Sequence, residues 1–329
     1  MLFSMKRERL LSGIKPTGRI HIGNYFGAIK QLVDLQKRYE TFIFIADYHA
    51  LTTLHDPSEL RKNIIDITLD YLAVGIDPTQ ATIFKQSSVS QHAELAWIFS
   101  CITTMPYLMR AHAYKDAKEK NKEINVGTFT YPILMAADIL LYNADHVPVG
   151  SDQKQHIEIA RNTTLEFNRT FGETFSVPEP VILDNVKTVP GTDGRKMSKS
   201  YQNTIPLFAS PEEIEKGVMS IPTDSKGKTE PKDPETCTIF SLHKLFLPPE
   251  TLDELRKRYQ EGDIGYHESK EMLIAHIEKF IAPLRTRRSE LEKEKRAVED
   301  ILNKGAQKAQ IQAEKTMSII RKKIGVTLA

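Results

Sequence analysis

Cysteine is nearly absent from this sequence: the 329 residues contain only Cys101 and Cys237, which lie far apart. No Cys-x-x-Cys pair occurs, which argues against the common zinc motifs and against a disulfide framework. No apolar run approaches the roughly 20 residues that a membrane-spanning helix needs. The start, MLFSMKRERLLSG, lacks the apolar segment and the cleavage site of a signal peptide. These absences predict a cytoplasmic protein without a membrane partner.

Low-complexity tracts and internal repeats are also missing, and the composition, 40% hydrophobic and 27% charged, is that of a folded globular protein. The length predicts about two domains. The formal net charge is only +2, yet residues 284–325 carry 12 Lys and Arg against 6 Asp and Glu. This basic segment favours a polyanionic partner, although a solvated helix face explains the same charges.

Short apolar runs alternate with amphipathic segments through the first 170 residues. Asp56 followed by Pro57 is typical of a helix start, because the carboxylate caps and the proline suits the first turn. This alternation is typical of βαβ units and predicts an α/β fold with a Rossmann-like, doubly wound parallel sheet. The predicted strands are 8–14, 41–47, 81–87 and 146–150, and the predicted helices are 22–39, 56–74, 90–104, 130–144 and 152–170.

The later part of the chain has a different pattern. Residues 172–205 are rich in Pro, Gly, Thr and Lys and are interpreted as a long loop. After them, helical segments follow one another with Pro and Gly breaks between them. We therefore predict a catalytic domain over 1–205 and an α-helical domain over 206–329, whose last helix packs back on the first domain.

The stretch SGIKPTGRIHIGNY, residues 12–25, joins the first predicted strand to the first helix. Ligands of open parallel sheets bind beyond the carboxyl ends of the strands, and a helix N-terminus favours anions. The stretch is neither G-x-G-x-x-G nor a Walker loop, which argues against a dinucleotide fold and a P-loop NTPase. On its own it also fits a plain strand-to-helix turn, and His21 also fits a capping or a buried histidine.

A second stretch, GTDGRKMSKSYQN at 191–203, places Lys196 and Lys199 three positions apart beside serine hydroxyls. Lysine ammonium groups suit a triphosphate. On a mobile loop they would close over a leaving pyrophosphate and stabilise the charge that develops in the transition state. The alternative is an ordinary solvated loop.

Together, HIGN at 21–24 and KMSKS at 196–200 resemble the two signature sequences of class I aminoacyl-tRNA synthetases. Asn24 stands where the first signature usually has a second histidine. TYPILMAADILLYNADHVPVGSDQKQHIEIAR (130–161) and AVGIDPTQATIF (73–84) resemble the tryptophanyl-tRNA synthetases, and ADYHALTT (46–53) is similar. The resemblance covers most of the chain to about residue 205 and is weaker in the helical part.

This resemblance implies a two-step reaction. The carboxylate of L-tryptophan attacks the α-phosphorus of ATP, which gives tryptophanyl-adenylate and pyrophosphate, and the adenylate then acylates the terminal adenosine of tRNA(Trp). It also implies Mg²⁺ as the companion of ATP, a homodimer, and an anticodon-binding role for the helical part. No metal-ligating residue is predicted.

The resemblance further implies a tryptophan pocket. Asp138 accepts a hydrogen bond from the indole N–H, a contact that a phenylalanine side chain leaves unpaired. The ring is walled by apolar side chains, for which ordinary core packing is the alternative, as a salt bridge is for Asp138. The other implied residues are Met135, Ile139, Val147 and Val149 around the ring, and Tyr131, His49 and Gln153 around the amino and carboxylate groups.

For ATP, the resemblance implies contacts along the first loop, at the helix start and in the second signature. Many relatives have glutamine where Lys15 stands, and a lysine adds positive charge beside the phosphates. His21 is expected near the phosphates. Lys196, Lys199 and Ser200 are the implied catalytic residues. The implied ATP-binding residues are Lys15, Pro16, Thr17, Gly23, Asn24, Gly150, Ser151, Asp152, Val186, Lys196, Met197, Ser198, Lys199 and Ser200.

Three other interpretations stay open at this point. Tyrosyl-tRNA synthetases share both signatures but are expected to carry polar partners for a phenolic hydroxyl. A nucleotidyltransferase of the same superfamily uses a similar first loop, although KMSKS with a helical C-terminal part argues against it. An inactive tryptophan- or tRNA-binding regulator is disfavoured by the intact Lys196, Lys199 and Asp138.

Overall fold

The computed structural model describes residues 7–111, 114, 115, 118, 124–149, 154–182 and 189–327. A five-stranded, all-parallel sheet with the strand order β3-β2-β1-β4-β5 forms its centre. The four predicted strands are confirmed. β5 lies within residues 172–205, which were predicted to be a loop, because its four residues include Pro180 and give too short a pattern. The strands are β1 (Arg9–Ile14), β2 (Glu40–Ile45), β3 (Ala81–Lys85), β4 (His146–Val149) and β5 (Glu179–Ile182).

Helices account for most of the remaining described residues. A π-helical turn, Tyr25–Ile29, lies between the first two, and single 3₁₀ turns occur at Gln86–Ser88 and Lys199–Tyr201. No helix among the described residues is both long enough and apolar enough to cross a membrane. The α-helices are α1 (Ile22–Asn24), α2 (Lys30–Leu35), α3 (Asp47–Ala50), α4 (Pro57–Ala73), α5 (Gln91–Ile102), α6 (Met105–Leu108), α7 (Val126–Leu141), α8 (Lys154–Phe171), α9 (Pro211–Met219), α10 (Thr238–His243), α11 (Pro249–Glu261), α12 (Tyr266–Lys293) and α13 (Lys295–Lys323).

Local sequence signals explain several helix boundaries. The Asp56 carboxylate accepts hydrogen bonds from the backbone N–H groups of Ser58 and Glu59, at 2.7 and 3.1 Å, as the Asp-Pro start predicted. Asn125 caps α7 in the same way, accepting from the N–H of Thr128 at 2.7 Å. This cap starts α7 four residues before the predicted position, which adds a full turn to the helix.

The described residues form two compact units. Unit 1 comprises 1–18, 32–184 and 294–329 and contains the sheet, whereas unit 2 comprises 19–31 and 185–293. In unit 1, α13 packs on the edge strand β3 at Gly305, where an added Cβ would lie 1.8 Å from the carbonyl oxygen of Ile83. The units therefore do not follow the predicted boundary at residue 205. The assignment of catalysis to 1–205 and of anticodon binding to 206–329 stays a prediction.

Candidate active site

A cavity of about 460 Å³ lies in unit 1 at the carboxyl ends of β1 and β2, between β4 and α7. The strand order changes direction between β1 and β4, and open α/β sheets bind ligands at such a switch point. Six of the eight predicted tryptophan-binding residues line this cavity, and so does Lys15 from the predicted ATP site. These six are His49, Tyr131, Met135, Asp138, Ile139 and Val147.

The walls of the cavity follow from local geometry. Tyr131, Met135, Asp138 and Ile139 recur at helical spacing and therefore lie on one face of α7. Opposite them the ring of Phe44 covers Gly13, where an added Cβ would lie 2.3 Å from the ring carbon Cζ. Glycine is required at this point because any larger side chain would displace an aromatic wall of the cavity.

Asp138 is fully buried and accepts three hydrogen bonds from neighbouring side chains. Its Oδ2 atom lies 2.8 Å from Nε2 of His49. Its Oδ1 atom accepts from Nε2 of Gln86 at 2.7 Å and lies 2.6 Å from Nδ1 of His92. A carboxylate has about four acceptor positions, so these contacts leave one on Oδ2 for a ligand in the cavity.

The charge of Asp138 is set by these partners. Burial favours the neutral acid and raises the pKa of the carboxyl, but the hydrogen bonds and charges of His49 and His92 outweigh it. The net result is a pKa lowered to about 2. Asp138 is therefore ionised at neutral pH and is a pure hydrogen-bond acceptor at the cavity wall.

Behind Asp138 the contacts continue to a tyrosine that the sequence did not single out. Nε2 of His92 lies 2.8 Å from the hydroxyl of Tyr142, and both residues are fully buried. Burial raises the pKa of the Tyr142 hydroxyl, which therefore stays protonated. Nδ1 of His92 faces the ionised carboxylate and donates to it, while Nε2 of the same ring hydrogen-bonds with the Tyr142 hydroxyl. Polar residues within the apolar runs of 84–99 and 130–142 were the signal that could have shown this group.

Lys15 lines the cavity at the end of β1 and is held by two hydroxyl groups. Its Nζ atom donates to Oγ1 of Thr52 at 3.0 Å and to Oγ1 of Thr53 at 3.1 Å. Burial lowers the pKa of the ammonium group. The next residues, Pro16 and Thr17, form a turn in which the N–H of Thr17 donates to the carbonyl of Lys15 at 2.9 Å.

The first signature lies in unit 2 at the start of α1. Nδ1 of His21 accepts from the N–H of Asn24 at 3.3 Å, and the N–H of His21 donates to Oδ1 of Asn24 at 3.1 Å. This reciprocal capping box confirms a capping function for His21, which is also buried. Asn24 thus replaces the second histidine of the signature with a residue that fixes the helix start.

Within unit 2 the two signatures meet. The N–H of Ile22 donates to the carbonyl of Ile205 at 3.0 Å, so the first signature pairs with the chain that leaves the second. An added Cβ at Gly23 would lie 2.9 Å from Nδ1 of His21 and 3.2 Å from Cβ of Met197. Glycine therefore permits this close approach of HIGN and KMSKS.

Asn203 organises the second signature and was missed by sequence reasoning. Its Oδ1 atom accepts from the N–H of Ser198 at 2.8 Å, and its Nδ2 atom donates to Asp193 at 2.6 Å and to the carbonyl of Lys196 at 3.1 Å. Asn203 is buried, whereas Lys196, Lys199 and Ser200 are exposed. In the sequence, its only distinction is that it follows KMSKS closely, as the last residue of the stretch 191–203.

Some predicted residues take other positions or lie outside the described residues. Met197 is buried in unit 2, so its side chain is a packing element of the loop. The backbone of Val149 belongs to β4, and its side chain is not described. In the described part of the chain, no group of three His, Cys, Asp or Glu side chains could hold a metal ion. The predicted residues outside the described ranges are Gly150, Ser151, Asp152, Gln153 and Val186.

Comparison with known families identifies the family to which a chain with this cavity and these two signatures belongs. The family model described as tRNA synthetases class I (W and Y) matches residues 5–282. The chain belongs to this family. Two of the relatives that are curated as tryptophan–tRNA ligases are similar to this chain over nearly their whole length.

The ligase of Fusobacterium nucleatum is 50% identical over 303 residues, 92% of this synthetase and 93% of that protein. The ligase of Rhodopirellula baltica is 47% identical over 318 residues, 97% and 99% of the two chains. The solved tryptophanyl-tRNA synthetase of Campylobacter jejuni, complexed with ADP and tryptophan, has a TM-score of 0.91 and 45% identity and covers 96% and 99% of the chains. The predicted family and fold class are therefore confirmed.

Proposed function

We propose that the chain activates L-tryptophan with ATP and transfers it to tRNA(Trp), as a tryptophan–tRNA ligase. In the first step a carboxylate oxygen of tryptophan forms a bond to the α-phosphorus, and the bond from that phosphorus to pyrophosphate breaks. In the second step the terminal ribose hydroxyl of the tRNA displaces AMP from the adenylate. Because ATP and tRNA are cytoplasmic reactants, we place this reaction in the cytoplasm.

The observation that carries the tryptophan assignment is the environment of Asp138. The carboxylate is ionised, buried and oriented by His49, Gln86 and His92, and one acceptor position on Oδ2 remains for the indole N–H. A phenylalanine side chain brings no N–H to this position and would leave the acceptor unpaired. Met135, Ile139 and Val147 supply apolar walls for the flat ring.

The two signatures of unit 2 bind the phosphates of ATP in this proposal. Lys199 and Lys196 supply positive charge from an exposed loop whose base is fixed by Asn203. Such charge, aimed at oxygens whose charge grows in the transition state, lowers the barrier without a covalent enzyme intermediate. Mg²⁺ prefers oxygen ligands and is usually bound through substrate phosphates, so we assign it to the triphosphate, whose charge it neutralises.

The basic C-terminal segment supports a tRNA contact. Exposed lysines on α13 recur every four or seven residues and therefore lie on one helix face, where they suit the phosphates of an RNA backbone. We assign the anticodon region of tRNA(Trp) to the helical segments after residue 206. The lysines are Lys304, Lys308, Lys315 and Lys322.

A homodimer is supported by exposed apolar side chains in unit 1. Trp97 is 73% exposed, Met105 62% and Leu165 56%. They lie on α5, α6 and α8, which also line a shared groove that includes Ile102, Tyr107 and Leu165. Large exposed apolar patches mark protein interfaces, and a second copy of the chain is the occupant we assign. Trp97→Glu should give a monomer in sedimentation velocity experiments, and an unchanged mass would contradict this interface.

Pyrophosphate exchange with each standard amino acid tests the proposed function. We expect exchange with tryptophan alone, and aminoacylation of tRNA(Trp) by the same preparation. Exchange with tyrosine in place of tryptophan would overturn the substrate assignment. Tryptophan binding without any exchange would indicate an inactive binding protein.

Lys199→Ala tests the second signature separately. The change should slow adenylate formation at saturating substrates while the affinity for tryptophan stays nearly intact, because the ammonium acts on the phosphates. Lys216→Ala, on the exposed face of α9 in the same unit, is the matched control and should retain full activity. A pure loss of tryptophan affinity in Lys199→Ala would contradict the assignment.

A further inference from the structure

Tyr201 follows the second signature directly, and its aromatic ring is exposed. The residue is 51% accessible to solvent. Among the described residues of unit 2, it is the only large hydrophobic side chain that is exposed. A single exposed ring needs no functional explanation by itself. Its function therefore depends on how the ring is held and on what lies beside it.

The ring of Tyr201 is held by Arg195. The guanidinium carbon Cζ lies 4.4 Å from the ring centroid, which is within the range of a cation–π contact. Arg195 is fixed in turn, because its Nε and Nη2 atoms donate to Oδ2 of Asp193 at 2.8 and 2.6 Å. Asp193 also accepts from Nδ2 of the buried Asn203 at 2.6 Å. The contacts that hold the second signature therefore also orient this ring.

The backbone at Tyr201 is fixed as well. Its N–H donates to the carbonyl of Ser198 at 3.1 Å, and the N–H of Gln202 donates to the carbonyl of Lys199 at 3.1 Å. Gln202 has a φ of 53°, in the left-handed region that residues with a side chain rarely adopt, and it ends the 3₁₀ turn Lys199–Tyr201. A ring on such a defined turn loses little conformational entropy when a planar group stacks on it.

The buried and the exposed residues of this loop have different surroundings. Met197 is buried against the first signature, where an added Cβ at Gly23 would lie 3.2 Å from its Cβ. Tyr201 and Arg195 are exposed, the arginine side chain to 62%. An aromatic ring beside an arginine is typical of proteins that bind unpaired RNA, because every base has a flat face for stacking and every nucleotide a phosphate for the cation.

We propose that Tyr201 stacks on the base of the terminal adenosine of tRNA(Trp) and positions this nucleoside for the second step. The inference rests on the proposed function, in which the two signatures bind the phosphates of ATP and the terminal ribose hydroxyl then attacks the adenylate. The terminal nucleoside has to lie beside the signatures when it reacts, and its base is unpaired. The first step does not involve tRNA, so the stack acts on the transfer alone.

The first experiment compares Tyr201→Leu and Tyr201→Phe with the wild type in both steps. Pyrophosphate exchange measures the first step, and both variants should stay within about twofold of the wild type in kcat and in KM for ATP. Single-turnover transfer from enzyme-bound tryptophanyl-adenylate measures the second step at one fixed salt concentration. Tyr201→Leu should lower the second-order rate constant for tRNA(Trp) about tenfold or more, as expected for the loss of one base–aromatic stack. Tyr201→Phe is the matched control, because it keeps the ring, and should stay within about twofold.

The second experiment measures the affinity for tRNA(Trp) with and without its 3′-terminal adenosine, by fluorescence anisotropy. The wild type should bind the complete tRNA about tenfold more tightly than the shortened one. Tyr201→Leu should bind the two equally, because the partner of the terminal base is gone. If Tyr201→Leu instead weakened the binding of both tRNAs by the same factor, the ring would contact another part of the tRNA and the inference would be wrong.

Two further outcomes would overturn the inference. A raised KM for ATP in Tyr201→Leu would assign the ring to the adenine of ATP. Equal slowing of exchange and of transfer would show that Tyr201 only holds the loop in place. A wild type that neither exchanges pyrophosphate nor aminoacylates tRNA(Trp) would instead contradict the proposed function.

Discussion

Nδ1 of His92 lies 2.6 Å from Oδ1 of Asp138, and neither side chain is accessible to solvent. A buried charge is costly unless it is paired and hydrogen-bonded, so this contact allows an ionised carboxylate to exist at the wall of an apolar cavity. Tyr142 completes the arrangement by hydrogen bonding to Nε2 of His92. Asp138, the proposed indole acceptor, is therefore supported by His92 and Tyr142, which do not themselves line the cavity in the described structure.

Tyr142→Phe removes the hydroxyl that pairs with Nε2 of His92. The ring keeps its stacking on Phe42, at a centroid distance of 5.2 Å, but a buried nitrogen loses its partner. We expect the free energy of unfolding to fall by about 1–3 kcal/mol, as for other unsatisfied buried polar groups. Urea unfolding measures this change. Tyr39→Phe is the control, because the hydroxyl of this half-buried tyrosine has no side-chain partner among the described residues, and equal stability losses in both variants would contradict the pairing.

Asp138→Ala removes the proposed indole acceptor. We expect KM for tryptophan in pyrophosphate exchange to rise more than about tenfold, which corresponds to about 1.4 kcal/mol, while KM for ATP stays within about twofold. His49 and His92 lose their partner as well, so unfolding is measured in parallel. Asp66→Ala, on the surface of α4, serves as the control. An unchanged KM for tryptophan would refute the assignment.

Local patterns were sufficient to predict much of the fold. Four of the five strands, the Asp56 cap and the common face of Met135, Asp138 and Ile139 follow from side-chain periodicity and capping chemistry, which depend on near neighbours in sequence. β5 was missed because four residues with a proline give too short a pattern.

Long-range pairing could not be predicted in the same way. Gln86 and His92 reach Asp138 across 52 and 46 residues, and no local pattern indicates such a contact. The two units likewise depend on distant pairing, since the chain around Ile22 joins that around Ile205. The resemblance to a family supplied the cavity residues, whereas their partners required the three-dimensional structure.

Asn203→Ala should remove the hydrogen bonds that hold the second signature, residues 196–200, in place. The loss of the contacts to Ser198, Asp193 and Lys196 leaves the exposed lysines without a fixed position, so we expect kcat for adenylate formation to fall about tenfold or more. Tryptophan affinity should change little, because Asn203 is not among the residues that line the cavity. Stopped-flow kinetics of adenylate formation separates the two quantities.

Gly191→Ala tests the same Asn203 contacts, because Gly191 packs directly against the Asn203 amide. An added Cβ at Gly191 would lie 2.2 Å from Nδ2 of Asn203, so the amide has to move and its contacts are lost. We expect the kinetic defect of Gly191→Ala to resemble that of Asn203→Ala, and the double variant to be no worse than either single one. Gly227→Ala, in an exposed turn of unit 2, is the control. Additive defects in the double variant would show that the two residues act independently.

His21 should make the stability of unit 2 depend on pH. Burial, with the positive charge of Lys199 as a second cause, lowers the pKa of His21 from 6.5 to about 4. Since the folded state binds the proton less tightly than the unfolded chain, the contribution of His21 is complete above pH 6.5 and is lost as the pH falls from 6.5 to 4. The structural reason is that Nδ1 accepts the N–H of Asn24 and cannot do so once protonated.

His21→Asn isolates this titration, because asparagine keeps an N-cap acceptor but has no proton to gain in this range. The difference in unfolding free energy between wild type and His21→Asn should shift against the wild type as the pH falls from 6.5 to 4. Buried His243, whose pKa is also lowered to about 4, contributes equally to both proteins, so its effect cancels in the difference.

In Lys199→Ala the pKa of His21, followed by NMR, should rise toward 6.5 because the charge that opposes its protonation is gone. A pKa of His21 that is unchanged by Lys199→Ala would show that the lysine of the second signature does not act electrostatically on the histidine of the first.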